Sequence, residues 1–95
     1  MQIDVTTRHF TAPPELKDLV EKEIRKLERY YDGVLACHVI LSRENGHDIA
    51  EIIAHSKRHQ FTVIEQNPKI EHAVAAAITK LKNQVKRYKD RLVSK

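Results

Sequence analysis

The apolar positions change rhythm along this chain, and each rhythm predicts an element. Ile3, Val5 and Thr7 alternate with polar neighbours, the period of a half-buried strand. Pro13-Pro14 then punctuates the chain, and a helix tolerates proline in its first turn. Leu16, Leu19, Val20, Ile24, Leu27, Tyr30 and Tyr31 recur at steps of three and four, which predicts an amphipathic helix over about residues 13–31. Asp32-Gly33 is its stop signal. Residues 34–43, VLACHVILSR, are β-branched and aliphatic and read as a strand. Asn45-Gly46 follows, the dipeptide of a type I′ hairpin, so residues 48–56 form the returning strand. After a turn at Lys57-Arg58-His59, residues 60–65 form another strand with Phe61 and Val63 on one face. Asn67 then caps a last helix with Pro68 as its first residue. Its apolar stripe runs from Ile70 through Ala73, Ala77, Leu81, Val85 and Tyr88 to Leu92.

The resulting order, β-α-β-β-β-α, predicts an α+β domain. Its four-stranded sheet contains an antiparallel meander, and both helices pack on one face. With 95 residues the chain has room for one domain, residues 1–95, and for no deep cavity between domains. The last helix is long for so small a domain, so its C-terminal turns are expected to project past the sheet.

Charge changes the picture more than size does. Seventeen Lys and Arg against thirteen Asp and Glu give a net charge of +4. Residues 80–95 alone hold seven basic residues, including Lys95, against Asp90, a local excess of +6. So local an excess suits a polyanion; a solvated helix end is the plainer alternative. At 100° per residue, Lys82, Lys86 and Lys89 follow one flank of the apolar stripe. Lys80, Arg87 and Arg91 follow the other. On the first helix Lys22, Arg25, Lys26 and Arg29 repeat at i, i+3, i+4 and i+7 on the side away from the core, with Glu21 and Glu28 at the margin. Packed side by side, the two helices would merge these patches into one basic face.

Candidate chemistry is sparse. Six histidines carry no HExxH or CxxC spacing, so neither a metal nor any other cofactor is expected. Cys37, the single cysteine, reads as a buried structural thiol in a strand and fits a reducing cytoplasm. Two glycines cannot build a phosphate loop, and no carboxylate pair has a catalytic spacing, so catalytic residues are not expected and the chain is not read as an enzyme. The N-terminus lacks a secretory pattern, and Ala73 to Ile78, the longest apolar run, is too short for a membrane. There is no Trp, and Tyr30, Phe61 and Tyr88 read as core or core-edge residues, so base-stacking platforms look weak. These residues point to a surface that reads phosphates and nucleic-acid shape.

Several stretches together resemble the bacterial ribosome hibernation promoting factors, also called ribosome-associated inhibitors or ribosomal subunit interface proteins. They are the opening MQIDVTTR, Lys26-Leu27-Glu28-Arg29-Tyr30-Tyr31, Ala50-Glu51-Ile52, and Ile78-Thr79-Lys80-Leu81 with Gln84 and Lys86 to Leu92. The resemblance covers nearly the whole chain. It implies a topology similar to double-stranded RNA-binding domains and a cytoplasmic, monomeric protein that binds the small ribosomal subunit. The implied action is steric: occupation of the mRNA and tRNA channel keeps ribosomes inactive in stationary phase or stress. By matched position, contacts with 16S rRNA are expected at Lys22, Arg25, Lys26, Arg29, Lys82, Lys86, Arg87, Lys89 and Arg91. The chain looks like the family's short form, which assists ribosome dimerisation together with a separate modulation factor. Two departures stand out. Lys69-Ile70-Glu71 replaces the family's Asp-Met-Tyr, and Lys57-Arg58-His59 replaces a glycine-bearing turn, where it is expected to supply extra basic contacts. A general double-stranded RNA-binding module is the alternative reading.

Overall fold

The computed structural model describes residues 1–93 and follows the expected order. β1 (Gln2–Arg8) leads to α1 (Pro14–Arg25), which tightens into a 3-10 turn over Lys26–Arg29. β2 (Val34–Glu44), β3 (His47–Ser56) and β4 (Gln60–Asn67) follow, and α2 (Ile70–Val93) closes the chain. The sheet order is β1-β2-β3-β4. β2, β3 and β4 pair antiparallel as a meander. β1, whose partner the sequence left open, pairs parallel to β2, with Ile3 opposite Cys37 and Val5 opposite Val39. A parallel pair needs a crossover, and α1 supplies it.

The alternation of the strands sorts one face into the core. Cys37, Val39 and Leu41 of β2, Ala50, Ile52 and Ala54 of β3, and Phe61 and Val63 of β4 are buried. Leu16, Val20, Ile24 and Leu27 meet them from the first helical segment, and Ala73, Ala77, Leu81 and Val85 from α2. Alanines on both β3 and α2 let the two backbones approach closely. Each fully buried aliphatic side chain stabilises the fold by roughly 1.5–3 kcal/mol. Both helices therefore cover one face, and the other face of the sheet is open.

The hairpin between β2 and β3 forms as its dipeptide demands, with Asn45 at φ 52° and Gly46 at φ 76°. Beside it the Arg43 guanidinium holds the buried Asp48 carboxylate at 2.7 Å, across the first residue pair next to the turn pair. That hydrogen bond raises the Arg43 pKa further.

Local details differ from the pattern reading. Leu19 and Tyr30 belong to the apolar periodicity but are 50% and 40% exposed, because they lie at the edge of the buried stripe. The helix does not stop through a left-handed glycine, since Gly33 has no positive φ. Gly33 instead makes room: a Cβ there would collide with the Tyr31 ring. α2 begins two residues later than expected. The Lys69 carbonyl accepts the first helical hydrogen bonds, from His72 and Ala73. Asn67 Oδ1 accepts from the Lys69 N–H at 3.1 Å, so Asn67 shapes the turn before the helix rather than capping it. Val85 is the last buried residue described on α2, Tyr88 is half-buried and Leu92 is 47% exposed. The final turns thus outrun the core as expected, and the molecule measures 45 × 21 × 18 Å.

Candidate nucleic-acid interface

The α1 spacing brings its four basic residues together. Lys22, Arg25, Lys26 and Arg29 line one shallow hollow of about 180 Å³. Acidic neighbours on the same helical segment occupy two of them. Arg25 lies 3.1 Å from Glu21 and 3.7 Å from Glu28, and it also donates to the Met1 carbonyl. Lys26 pairs with Glu23. Exposed pairs of this kind are worth only ~0.3–0.5 kcal/mol, so a phosphate can displace them.

Glu23 marks where the two helices meet. The Lys26 ammonium bonded to it holds its carboxyl below the usual range, and Lys22 and Lys82 of the neighbouring helix add to that effect. Lys82 Nζ also lies 4.9 Å from the Tyr30 ring centroid, a cation–π distance. The exposure of Tyr30 therefore has a consequence, since its ring ties the end of the first helical segment to α2. Lys82 joins the two basic patches, and Lys86 and Lys89 continue its flank along the following turns. Between the helices, Leu19, Val74 and Ile78 floor a groove edged by Glu23, Glu71 and Lys82.

The other flank faces a different neighbour. Lys80 reaches Glu65 of β4 at 3.3 Å. Arg87 and Arg91 stand beside the β3–β4 turn and line hollows with His59, and Arg91 also with Arg58. Of the nine expected contacts, Lys22, Arg25, Lys26, Arg29, Lys82, Lys86 and Lys89 follow one surface, while Arg87 and Arg91 turn toward this corner. Lys95 lies outside the described residues.

Arg58 and His59 are not among the nine matched positions, although their turn was expected to add basic contacts. The basic turn Lys57-Arg58-His59 was their signal in the sequence, but only folding shows that it meets α2. The opposite face of the sheet has another character. It carries exposed Ile64, and Asp4 pairs there with His38, whose ring is 5.5 Å from that of His55. Among the described residues no group of three or more His, Cys, Asp or Glu could hold a metal ion. None of the described helices is long and apolar enough to cross a membrane.

Comparison with known proteins adds a family to this geometry. A family model described as Sigma 54 modulation protein / S30EA ribosomal protein matches residues 3–93. A ribosome hibernation promoting factor from Klebsiella oxytoca is 25% identical over 92 residues, 97% of each chain. One from Salmonella typhimurium matches to the same extent. Among solved structures, a ribosomal subunit interface protein from Coxiella burnetii superposes with a TM-score of 0.88 at 20% identity, covering 95% of this chain and 99% of that one. The N-terminal domain of Thermus thermophilus Protein Y gives 0.85 at 31% identity, covering 93% and 99%.

Proposed function

Since the chain belongs to the Sigma 54 modulation protein / S30EA ribosomal protein family, we propose that residues 1–95 act as one ribosome-binding translation inhibitor. The basic helix surface contacts 16S rRNA, and the protein occupies the mRNA and tRNA channel of the small subunit. Ribosomes so occupied stay inactive in stationary phase or stress. The observation that carries this reading is that Lys82 of α2 meets the basic cluster of the first helical segment, from which helical spacing carries Lys86 and Lys89 along the same flank. The names of the relatives, ribosome hibernation promoting factor and ribosomal subunit interface protein, support the choice of polyanion. The action is steric, with the protein working as a cytoplasmic monomer and any effect on ribosome dimerisation shared with a separate modulation factor.

Sedimentation with ribosomes, in the presence and absence of mRNA and tRNA, tests the channel. Displacement by tRNA is the expected result, and unchanged binding would move the site elsewhere. A second arm replaces Lys86, Arg87, Lys89 and Arg91 with Ala. Each phosphate that the protein no longer neutralises lowers the salt slope by about 0.7–0.9, so the quadruple variant is expected to bind weakly with a slope lower by about 3. A wild-type slope in that variant would reject the assigned surface. Equal binding to plain RNA duplexes would favour a general double-stranded RNA-binding module instead.

A further inference from the structure

Where the β3–β4 turn meets α2, the molecule holds more than charge. The His59 ring lies 4.6 Å from the Tyr88 ring and within 20° of parallel. Phe61 stands steeply to both, with centroids 4.5 Å from His59 and 5.5 Å from Tyr88. Those three separations place Phe61 alongside the His59–Tyr88 pair rather than beyond it. Phe61 is buried, Tyr88 half-buried and His59 exposed, so the stack rises from the core to an outermost imidazole. The face of His59 turned away from Tyr88 is covered by neither ring. The turn that presents it is fixed, because the His59 carbonyl accepts from the Ser56 N–H at 2.8 Å and from its hydroxyl at 3.0 Å.

Two hollows adjoin at this ring, with His59 and Arg91 lining both. One, of about 380 Å³, is completed by Arg58, Tyr88 and Leu92. The other, of about 260 Å³, is completed by Phe61, Gln84 and Arg87. No carboxylate lines either hollow among the described residues. The first offers flat and apolar surface, the second guanidinium and amide donors. A nucleotide has the same division, a π-faced base and an anionic phosphate whose oxygens match the arginine fork.

We infer that this corner binds one unpaired nucleotide, its base stacked on the outer face of His59 and its phosphate held by Arg87 and Arg91. The inference rests on the RNA-binding reading above and sharpens it. A basic helix surface tracks phosphates in any duplex, whereas a stacking ring needs a base whose face is free. The ligand at this corner is therefore a splayed or single-stranded base, in an RNA strand or in a free nucleotide.

The test uses the full chain and a short single-stranded RNA carrying 2-aminopurine, with the same strand in a duplex as control. Fluorescence quenching by the wild type on the single strand, and not on the duplex, is expected. Stacking of one base is worth on the order of tenfold in affinity, so His59→Ala should bind the single strand and the small subunit about 10-fold more weakly. Its salt slope on the subunit should stay at the wild-type value, since the arginines that hold the phosphate remain. His59→Phe should restore binding, because a phenyl face stacks as an imidazole does. Displacement by AMP would assign the corner to free nucleotides, and displacement by unlabelled single strand alone would assign it to RNA. Wild-type behaviour of His59→Ala in both assays, or failure of His59→Phe to restore binding, would overturn the inference. The two readings fail separately. A wild type that ignores small subunits yet quenches through His59 sinks the ribosomal reading alone, and a wild type that binds small subunits while both assays are indifferent to His59 sinks only this site.

Discussion

Cys37 has no exposed surface, and burial pushes its thiol up to about 11 from an ordinary value of 9.0. Between those two values the unfolded chain has lost the thiol proton while the folded chain keeps it. Stability therefore falls as pH rises through this window, by about 2–3 kcal/mol in total. The measurable form is a difference: urea midpoints of the wild type should approach those of Cys37→Ala as pH climbs from 9 to 11. Parallel curves for the two proteins would refute it. The location of Cys37 was legible in the sequence, because alternation in the strand puts it on the face of Val39 and Leu41. Leu19 and Tyr30 were not legible in the same way. Periodicity shows that a residue lies near the apolar stripe, but where burial ends depends on what packs opposite, and Lys82 rather than core stands over Tyr30.

At the scale of elements, the junction between the two helices sets how much basic charge is available. Glu23 sits among Lys22, Lys26 and Lys82, and its lowered pKa shows that it draws on their field. The pairing stabilises above the ordinary carboxylate range and is lost as pH falls through the depressed value. Glu23→Gln removes a negative charge from the middle of the proposed interface. Binding to ribosomes should tighten severalfold at low salt, with the gain shrinking as salt is raised. Affinity that fell, or rose equally at all salt concentrations, would show that Glu23 does not oppose the polyanion. Spacing alone located the four basic residues of the first helical segment. It also placed Glu21 and Glu28, which engage Arg25, at the margin of that patch, but it did not single out Glu23, which pairs with Lys26 by a choice of rotamer. The start of α2 was misplaced for a similar reason. Asn67 has the chemistry of a cap, but the sheet holds it as the last residue of β4.

For the whole molecule, the arrangement is directional. Both helices, and the basic residues they carry, lie on one side of the sheet, and the other side presents Thr62, Ile64, Glu51 and the Asp4–His38 pair. A negative charge added on the open face, Thr62→Glu, should leave ribosome affinity and its salt slope near wild-type values. Loss comparable to that of a helix variant would mean that rRNA wraps both faces. The order of elements and the core face of each strand followed from local patterns, which is why most of the architecture was readable in advance. The corner of His59, Tyr88 and Arg91 was not, because residues about 30 positions apart become neighbours only when α2 runs back along the sheet.

The parallel pairing of β1 with β2 carries a consequence for how the chain assembles. The meander closes through short turns, whereas Ile3 and Cys37 become partners only after the intervening chain has been ordered. Loop closure over that span opposes early pairing, so β1 is expected to join after the β2–β3–β4 nucleus. Val5→Ala, which weakens that late pairing, should then quicken unfolding and leave the folding limb of a chevron nearly unchanged. β1, made before the strands it joins, would be the last of them to take its place.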